Sequence, residues 1–234
     1  MEVVDLDILK KVWEEEDPLE VELIQATPNP IETIAKIASV CYGHETARDP
    51  VKLFKHLYLN GHHSVFEHIY YTFHISGISR ACSHQLVRHR LAAITQRSQR
   101  YCDESNDSEW KVTPHDIGAD DESVQEYQKI MDKIQEAYKD LMLLHNIPKE
   151  DARYVLPNAC STELYFSCNL RELIHIANER LCARAQWEIR EVVEAMRDCI
   201  KDEEIRDILV PKCGSGIYIC NNTKCHMRTQ ANKM

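Results

Sequence analysis

The chain of 234 residues carries 38 acidic and 28 basic side chains, a formal net charge of −10, with 44% hydrophobic residues, 6 glycines and 8 prolines. That composition belongs to a globular chain long enough to bury its own core, and it excludes collagen-like and low-complexity classes and argues against bulk affinity for polyanions. No run approaches the roughly 18 apolar residues of a membrane span. The opening Met1-Glu2-Val3-Val4-Asp5 lacks the basic start and apolar run of an export signal, so the ten scattered cysteines are expected as reduced thiols in a cytoplasmic protein.

Leu19 to Ala26 alternates apolar and polar side chains and predicts a strand, which Pro28 and Pro30 end. Apolar residues at 31, 34, 37, 38 and 41 predict a helix from Ile31 to Cys41. Val51 to Leu59 repeats that pattern up to a stop at Asn60-Gly61. Phe66 to Ile75, rich in aromatic and β-branched residues, predicts a second strand, and Ile78 to Arg88 returns to helical spacing. A long amphipathic helix is expected from Asp121 to Leu144, with apolar positions at 124, 127, 130, 131, 134, 138 and 141. Leu164 to Cys168 reads as a short strand, and Leu170 to Arg180 and Ala185 to Ile200 as two more helices. Helices dominate and the strands are few, so the expected class is α+β, a helix-rich single domain with a small sheet. The domain is expected over 1–211, followed by a cysteine-containing extension over 212–234.

The chain's acidity is unevenly spread. The 35 residues from His68 to Cys102 contain neither Asp nor Glu, where about six acids would fall by chance. Lysine is also absent, and the cations are Arg80, Arg88, Arg90, Arg97 and Arg100. A guanidinium is a planar fork of donors that matches a phosphate or carboxylate and stacks on flat rings. Gln85, Gln96, Ser98, Gln99 and Tyr101 lie between these arginines and add hydrogen-bonding groups of defined geometry. Such a set suits a small anion with a polar heterocycle, that is, a nucleotide. A single-stranded nucleic acid would need more stacking aromatics than Tyr101 alone. On a helix, Arg80, His84 and Arg88 would share a face, and Arg88-His89-Arg90 would end it with side chains pointing different ways.

Arg88-His89-Arg90, seven residues, then Ser98 resembles the R-H-R-x7-S signature of flavin-dependent thymidylate synthases. Gly61-His62-His63-Ser64-Val65-Phe66-Glu67-His68 resembles that family's flavin segment. Arg153-Tyr154-Val155-Leu156-Pro157 resembles its A-R-x-x-L-P element. Asn169-Leu170-Arg171, His175, Arg180 and Ala185 to Arg190 resemble its closing helices. The likeness runs from about Ile31 to Arg206. It implies the family's fold, with a mostly antiparallel sheet, and the conversion of dUMP to dTMP. Methylenetetrahydrofolate would supply the carbon, and FAD reduced by NADPH the hydride, in a homotetramer with shared active sites. Neither a nucleic acid nor a membrane is expected as a partner.

The resemblance also assigns roles. Arg180 becomes the catalytic cation that stabilises charge on the pyrimidine edge, the kind of fixed charge that needs no reorganisation during reaction. The dUMP positions are Gln85, Leu86, Val87, Arg88, Gln96, Arg97, Ser98, Gln99, Arg100, Arg153 and Arg180, with Arg100 and Arg153 suited to the phosphate. The flavin positions are Ser64, Glu67, Arg88, His89, Arg90, Gln96, Asn169, Arg171 and His175. The chain departs from common family patterns at Ala93-Ile94-Thr95-Gln96, so Gln96 would meet its ligand through a neutral amide, and at Cys41, where a serine is frequent. Ser98 has no triad partner evident in the sequence and is not read as a nucleophile. No G-x-G-x-x-G follows a strand, so a Rossmann site is not expected.

Two other function classes remain beside the enzyme. One is a nucleotide-binding regulator that kept the pocket and lost the chemistry; the other is a single-strand binder using the arginine window. In the tail, Cys213, Cys220, Cys225 and His226 form C-x6-C-x4-C-H, which is not the spacing of a usual zinc finger or ribbon. The tail is therefore expected to be a reduced extension without metal, and removal of residues after Lys212 is expected to leave flavin binding largely intact.

Overall fold

The computed structural model describes residues 19–41, 43, 49–104, 110–217 and 225. The first strand, β1, is Glu20–Ala26. Helices α1 (Pro30–Val40) and α2 (Pro50–Leu59) follow, each with proline in its first turn, where its missing N–H removes no helical bond. The Asp49 side chain caps α2 by accepting from the Lys52 amide at 2.9 Å. A 3-10 turn spans His63–His68 and leads into β2 (Tyr70–Ser79) and α3 (Arg80–Leu86). Strand β3 is Ala92–Gln96. The long helix α4 is Asp121–Leu143, capped by the Asp120 side chain. Strand β4 (Ser161–Asn169) runs directly into α5 (Leu170–Arg180). Helices α6 (Trp187–Asp198) and α7 (Glu203–Ile208) close the chain of regular elements.

The four strands form one antiparallel sheet in the order β1-β2-β4-β3, so the α+β class expected from the sequence holds. Several boundaries differ from expectation. The strand expected from Phe66 begins only at Tyr70, because Val65 and Phe66 enter the core from the 3-10 turn. It then runs four residues further, so Ile78 and Ser79 belong to β2. Helix α3 stops at Leu86, which removes Arg88 from the face expected to hold Arg80 and His84. The strand expected over 164–168 starts earlier, at Ser161.

The chain divides into two compact units. One gathers residues 76–84 and 96–164 with the described end of 1–20. Its core is built on Trp110, Met131 and Cys160, with Tyr127, Ile134 and Leu156 packed against them. Of the seven apolar positions expected along α4, only Met131 and Tyr138 are fully buried, and Ile130 is exposed. The other unit gathers 21–75, 85–95 and the chain from 165 on. There α1 packs on α2, and α5 packs on the 3-10 turn and on α6. Phe54 and Phe66 meet with ring centroids 5.5 Å apart. Tyr71, Phe73 and Ile75 of β2, Leu173 and Ile176 of α5, and Ile189, Val192 and Met196 of α6 complete this core. Each such side chain contributes about 1.5–3 kcal/mol by leaving water. The alternate burial of Phe166 and Cys168 on β4 is the period of two that a half-covered strand requires.

Candidate active site

Helix α5 is the main scaffold in the second unit. The Asn169 side chain caps it, Oδ1 accepting from the Glu172 amide at 2.9 Å. Glu172 lies in the first turn and Arg180 in the last, so each charge sits at the helix end whose dipole favours it. Arg180 Nε donates to His89 Nε2 at 3.0 Å. His89 Nδ1 lies 3.7 Å from Glu172 Oε1, and both side chains are about nine-tenths or more buried. The His175 ring meets His89 edge-on at 5.8 Å. Burial, with Arg180 and His175 adding to it, lowers the His89 pKa to about 4, so this imidazole is neutral near pH 7. Burial raises the Glu172 pKa.

Beside α5 is a cavity of about 850 Å³. Its walls include Tyr58, Tyr70 and Leu91 as apolar surface and Glu67, Asn169, Arg171, His175 and Asn178 as polar edges. Arg171 is paired with Glu67 at its mouth. Asn178 is 8% exposed, and its Oδ1 has no hydrogen-bond partner among the described residues. That oxygen is itself enclosed, so it is a buried unsatisfied acceptor of α5 and not a group presented to the cavity. Lys212 and Ile217 also line the cavity, so the expected extension contributes to its wall.

The signature triplet splits as expected. Arg88 and Arg90 are exposed, whereas His89 is buried. Its main chain turns tightly, the His89 amide donating to the Leu86 carbonyl at 3.0 Å. Leu86, one of the expected dUMP positions, is fully buried. Val87 is exposed, and Gln85 donates to Gln186 Oε1 at 3.3 Å. Of the flavin positions, Glu67, Asn169, Arg171 and His175 line the cavity, while Ser64, Arg88 and Arg90 are exposed and are not among the residues lining it.

Gln96, Arg97, Ser98, Gln99, Arg100 and Arg153 belong to the first unit. Gln96 Nε2 donates to Ser83 Oγ at 2.9 Å and Thr162 Oγ1 at 3.3 Å, contacts that occupy its amide nitrogen and not its carbonyl. Arg97 is held between Glu104 at 3.4 Å and Glu163 at 3.5 Å, and its carbonyl accepts from Arg80 Nη2 at 2.8 Å. It is therefore a strut for the loop. Ser98 Oγ accepts from the Arg100 amide at 3.3 Å, a local turn contact that fits its exclusion as a nucleophile. Gln99 Nε2 donates to Cys160 Sγ at 3.3 Å. Arg100 and Glu150 pair at 2.9 Å with both side chains about half exposed, so solvent and salt screen the contact. Arg153 Nε donates to the Glu150 carbonyl at 3.0 Å. The buried acids Glu104 and Glu172 and the unsatisfied acceptor Asn178 carried no sequence signal, because nothing in an Asp/Glu/Asn position reveals what covers it.

Residues 22–204 match the family described as thymidylate synthase complementing protein. The chain is 40% identical to a flavin-dependent thymidylate synthase of Pyrococcus furiosus over 210 residues, 82% of this chain and 86% of that protein. It is 42% identical to the Pyrococcus abyssi protein over the same shares and 40% identical to that of Geobacter sulfurreducens over 78% of this chain and 82% of that one. Its fold is similar to two crystal structures of thymidylate synthase X from Helicobacter pylori with FAD and dUMP. They have TM-scores of 0.63 and 0.66, identities of 23% and 22%, and cover 82% and 81% of this chain and 97% of each of those chains. This chain belongs to the flavin-dependent thymidylate synthase family, and is by that membership a flavoenzyme.

Proposed function

We propose that the enzyme methylates dUMP reductively to dTMP, with methylenetetrahydrofolate as carbon donor, NADPH as reductant and FAD as its resident cofactor. The supporting observation is Arg180. It is half-buried at the end of α5, its Nε is bound by a neutral imidazole, and no described residue bonds to its two terminal amino groups. A cation so held stabilises negative charge that develops on the N3–carbonyl edge of uracil and makes the ring reactive at C5. FAD, when bound, supplies the hydride. Arg171, Asn169, His175 and Glu67 would hold it along the cavity, whose polar edges and tyrosine walls fit a flat, polar-edged ligand. Arg100 and Arg153 offer bidentate donors for the nucleotide phosphate, while Ser98, Gln99 and the Gln96 carbonyl offer contacts of fixed geometry. The assembly is a cytoplasmic homotetramer, in which the exposed Ser64, Arg88 and Arg90 are available to a cofactor held by another copy.

Arg180→Ala tests this reading. Loss of one charge-stabilising donor typically lowers turnover by about 10²–10³. The variant should still purify with an oxidised-flavin spectrum. Near-normal dTMP formation from it would remove Arg180 from the mechanism.

A further inference from the structure

The triplet's middle residue behaves unlike its neighbours. His89 is 6% exposed and faces inward, between two arginines that face outward. It meets α5 at three points: Glu172 near the helix start, His175, and Arg180 at its end. Its main chain is pinned by the Leu86 carbonyl, and the Glu172 amide by the Asn169 cap. Arg180 therefore meets a ring whose own backbone is held in place.

We propose that His89 is the positioning residue of Arg180, holding the guanidinium by its Nε so that both terminal amino groups are left for the substrate. This rests on the reading of Arg180 as the reacting-edge cation. The contact dictates a tautomer. An imidazole nitrogen that accepts from Nε–H carries no proton, so the ring's one proton is on Nδ1, the side that faces Glu172 at 3.7 Å. That distance exceeds a hydrogen bond, so it is acceptance from the Arg180 Nε–H that fixes the tautomer. His89 is thus a ring that accepts, and Arg180 a cation that is aimed. Arginine has several rotatable bonds, and an unheld guanidinium would sample many positions relative to the pyrimidine. Fixing Nε leaves the two remaining nitrogens as a planar fork, the geometry that matches an adjacent N and C=O pair.

The test compares His89→Leu, His89→Gln and Arg180→Ala as flavin-loaded enzymes. The readouts are kcat, KM for dUMP, and FAD bound per chain. Leucine removes the acceptor, whereas the glutamine side-chain carbonyl restores one near the Nε2 position. The expected result for His89→Leu is a fall in kcat on the order of 10- to 100-fold, the usual weight of a hydrogen bond to a charged group, with KM for dUMP and FAD content little changed. His89→Gln should recover most of the lost kcat. Wild-type kcat in the leucine variant, or equal losses in both His89 variants, would overturn the positioning role. So would a leucine defect that excess FAD repairs, since that would make His89 a flavin contact alone. If Arg180→Ala keeps its turnover, the reading of Arg180 fails first and the positioning role falls with it.

Discussion

Neutral His89 and its buried neighbours set both the chemistry and the pH response at the residue scale. The His89 pKa in the fold, about 4, lies below the 6.5 of a free imidazole. The stability tied to its neutral form is therefore complete above pH 6.5 and is lost as pH falls toward 4. Arg180, His175 and Glu172 face the ring; the first two oppose its protonation, and Glu172, itself reluctant to ionise through burial, offers little compensation. The urea midpoint should drop between pH 7 and about pH 5, and that drop should shrink in His89→Gln, whose side chain does not titrate. An equal drop in both proteins would exclude His89 as its source. Two of the buried thiols are poorly suited to nucleophilic attack. Burial pushes Cys160 up to about 11 and raises Cys168 further, so neither is a thiolate at neutral pH. Replacing each cysteine by serine in turn should leave turnover in place. Cys168→Ser should cost about 1–3 kcal/mol by burying a hydroxyl. A folded serine variant without activity would restore the covalent alternative.

At the scale of elements, α5 carries most of the site, and its cap controls where Arg171, Glu172, His175 and Arg180 stand. Asn169→Ala should destabilise the protein by about 0.5–2 kcal/mol and lower turnover, while Asn169→Asp, which keeps the cap oxygen, should retain most of the stability. Denaturation curves for the two variants check this, and equal losses would mean that the cap is not what matters. This helix was legible to the residue in the sequence, because its apolar stripe and its asparagine start agree with its packing. Strand β2 was legible in kind but shifted. Its aromatic content marked a buried segment, yet Phe66 reaches the core from a 3-10 turn, and Gly77 at φ 71 lets the strand continue where helical spacing seemed to begin. Strand β3, A-A-I-T-Q, has no alternation of large apolar residues and was missed. The site followed the same division. The motif residues could be named from the family resemblance, but the inward turn of His89, the internal pairing of Arg97 and the buried acids depend on contacts distant in sequence, to which periodicity is blind.

For the molecule as a whole, the chain beyond the family match bears on the site as well. Cys213 and Cys225 form no disulfide among the described residues, while Cys220 and His226 lie outside them. The segment before them is well anchored. A 3-10 turn over Lys212–Gly214 packs on α5. Ser215 is 6% exposed, and its hydroxyl donates to the Lys212 carbonyl at 2.9 Å while accepting from the Ile217 amide at 3.2 Å. Lys212 lies 3.9 Å from Glu179, and with Ile217 both residues line the cavity. Ile217 belongs to the wall, so the expectation that removal of residues after Lys212 leaves flavin binding largely intact turns on what that wall contacts. Two truncations separate wall from tail. Ending the chain after Ile217 should leave FAD affinity unchanged. Ending it after Pro211 removes an apolar side chain and a cation from the cavity and should weaken FAD binding roughly tenfold, about the worth of one buried aliphatic side chain. Fluorescence titration of FAD into the flavin-stripped proteins measures both. Identical affinity in the full chain and both truncations would show that the wall formed by 212–217 makes no contact that the cofactor needs.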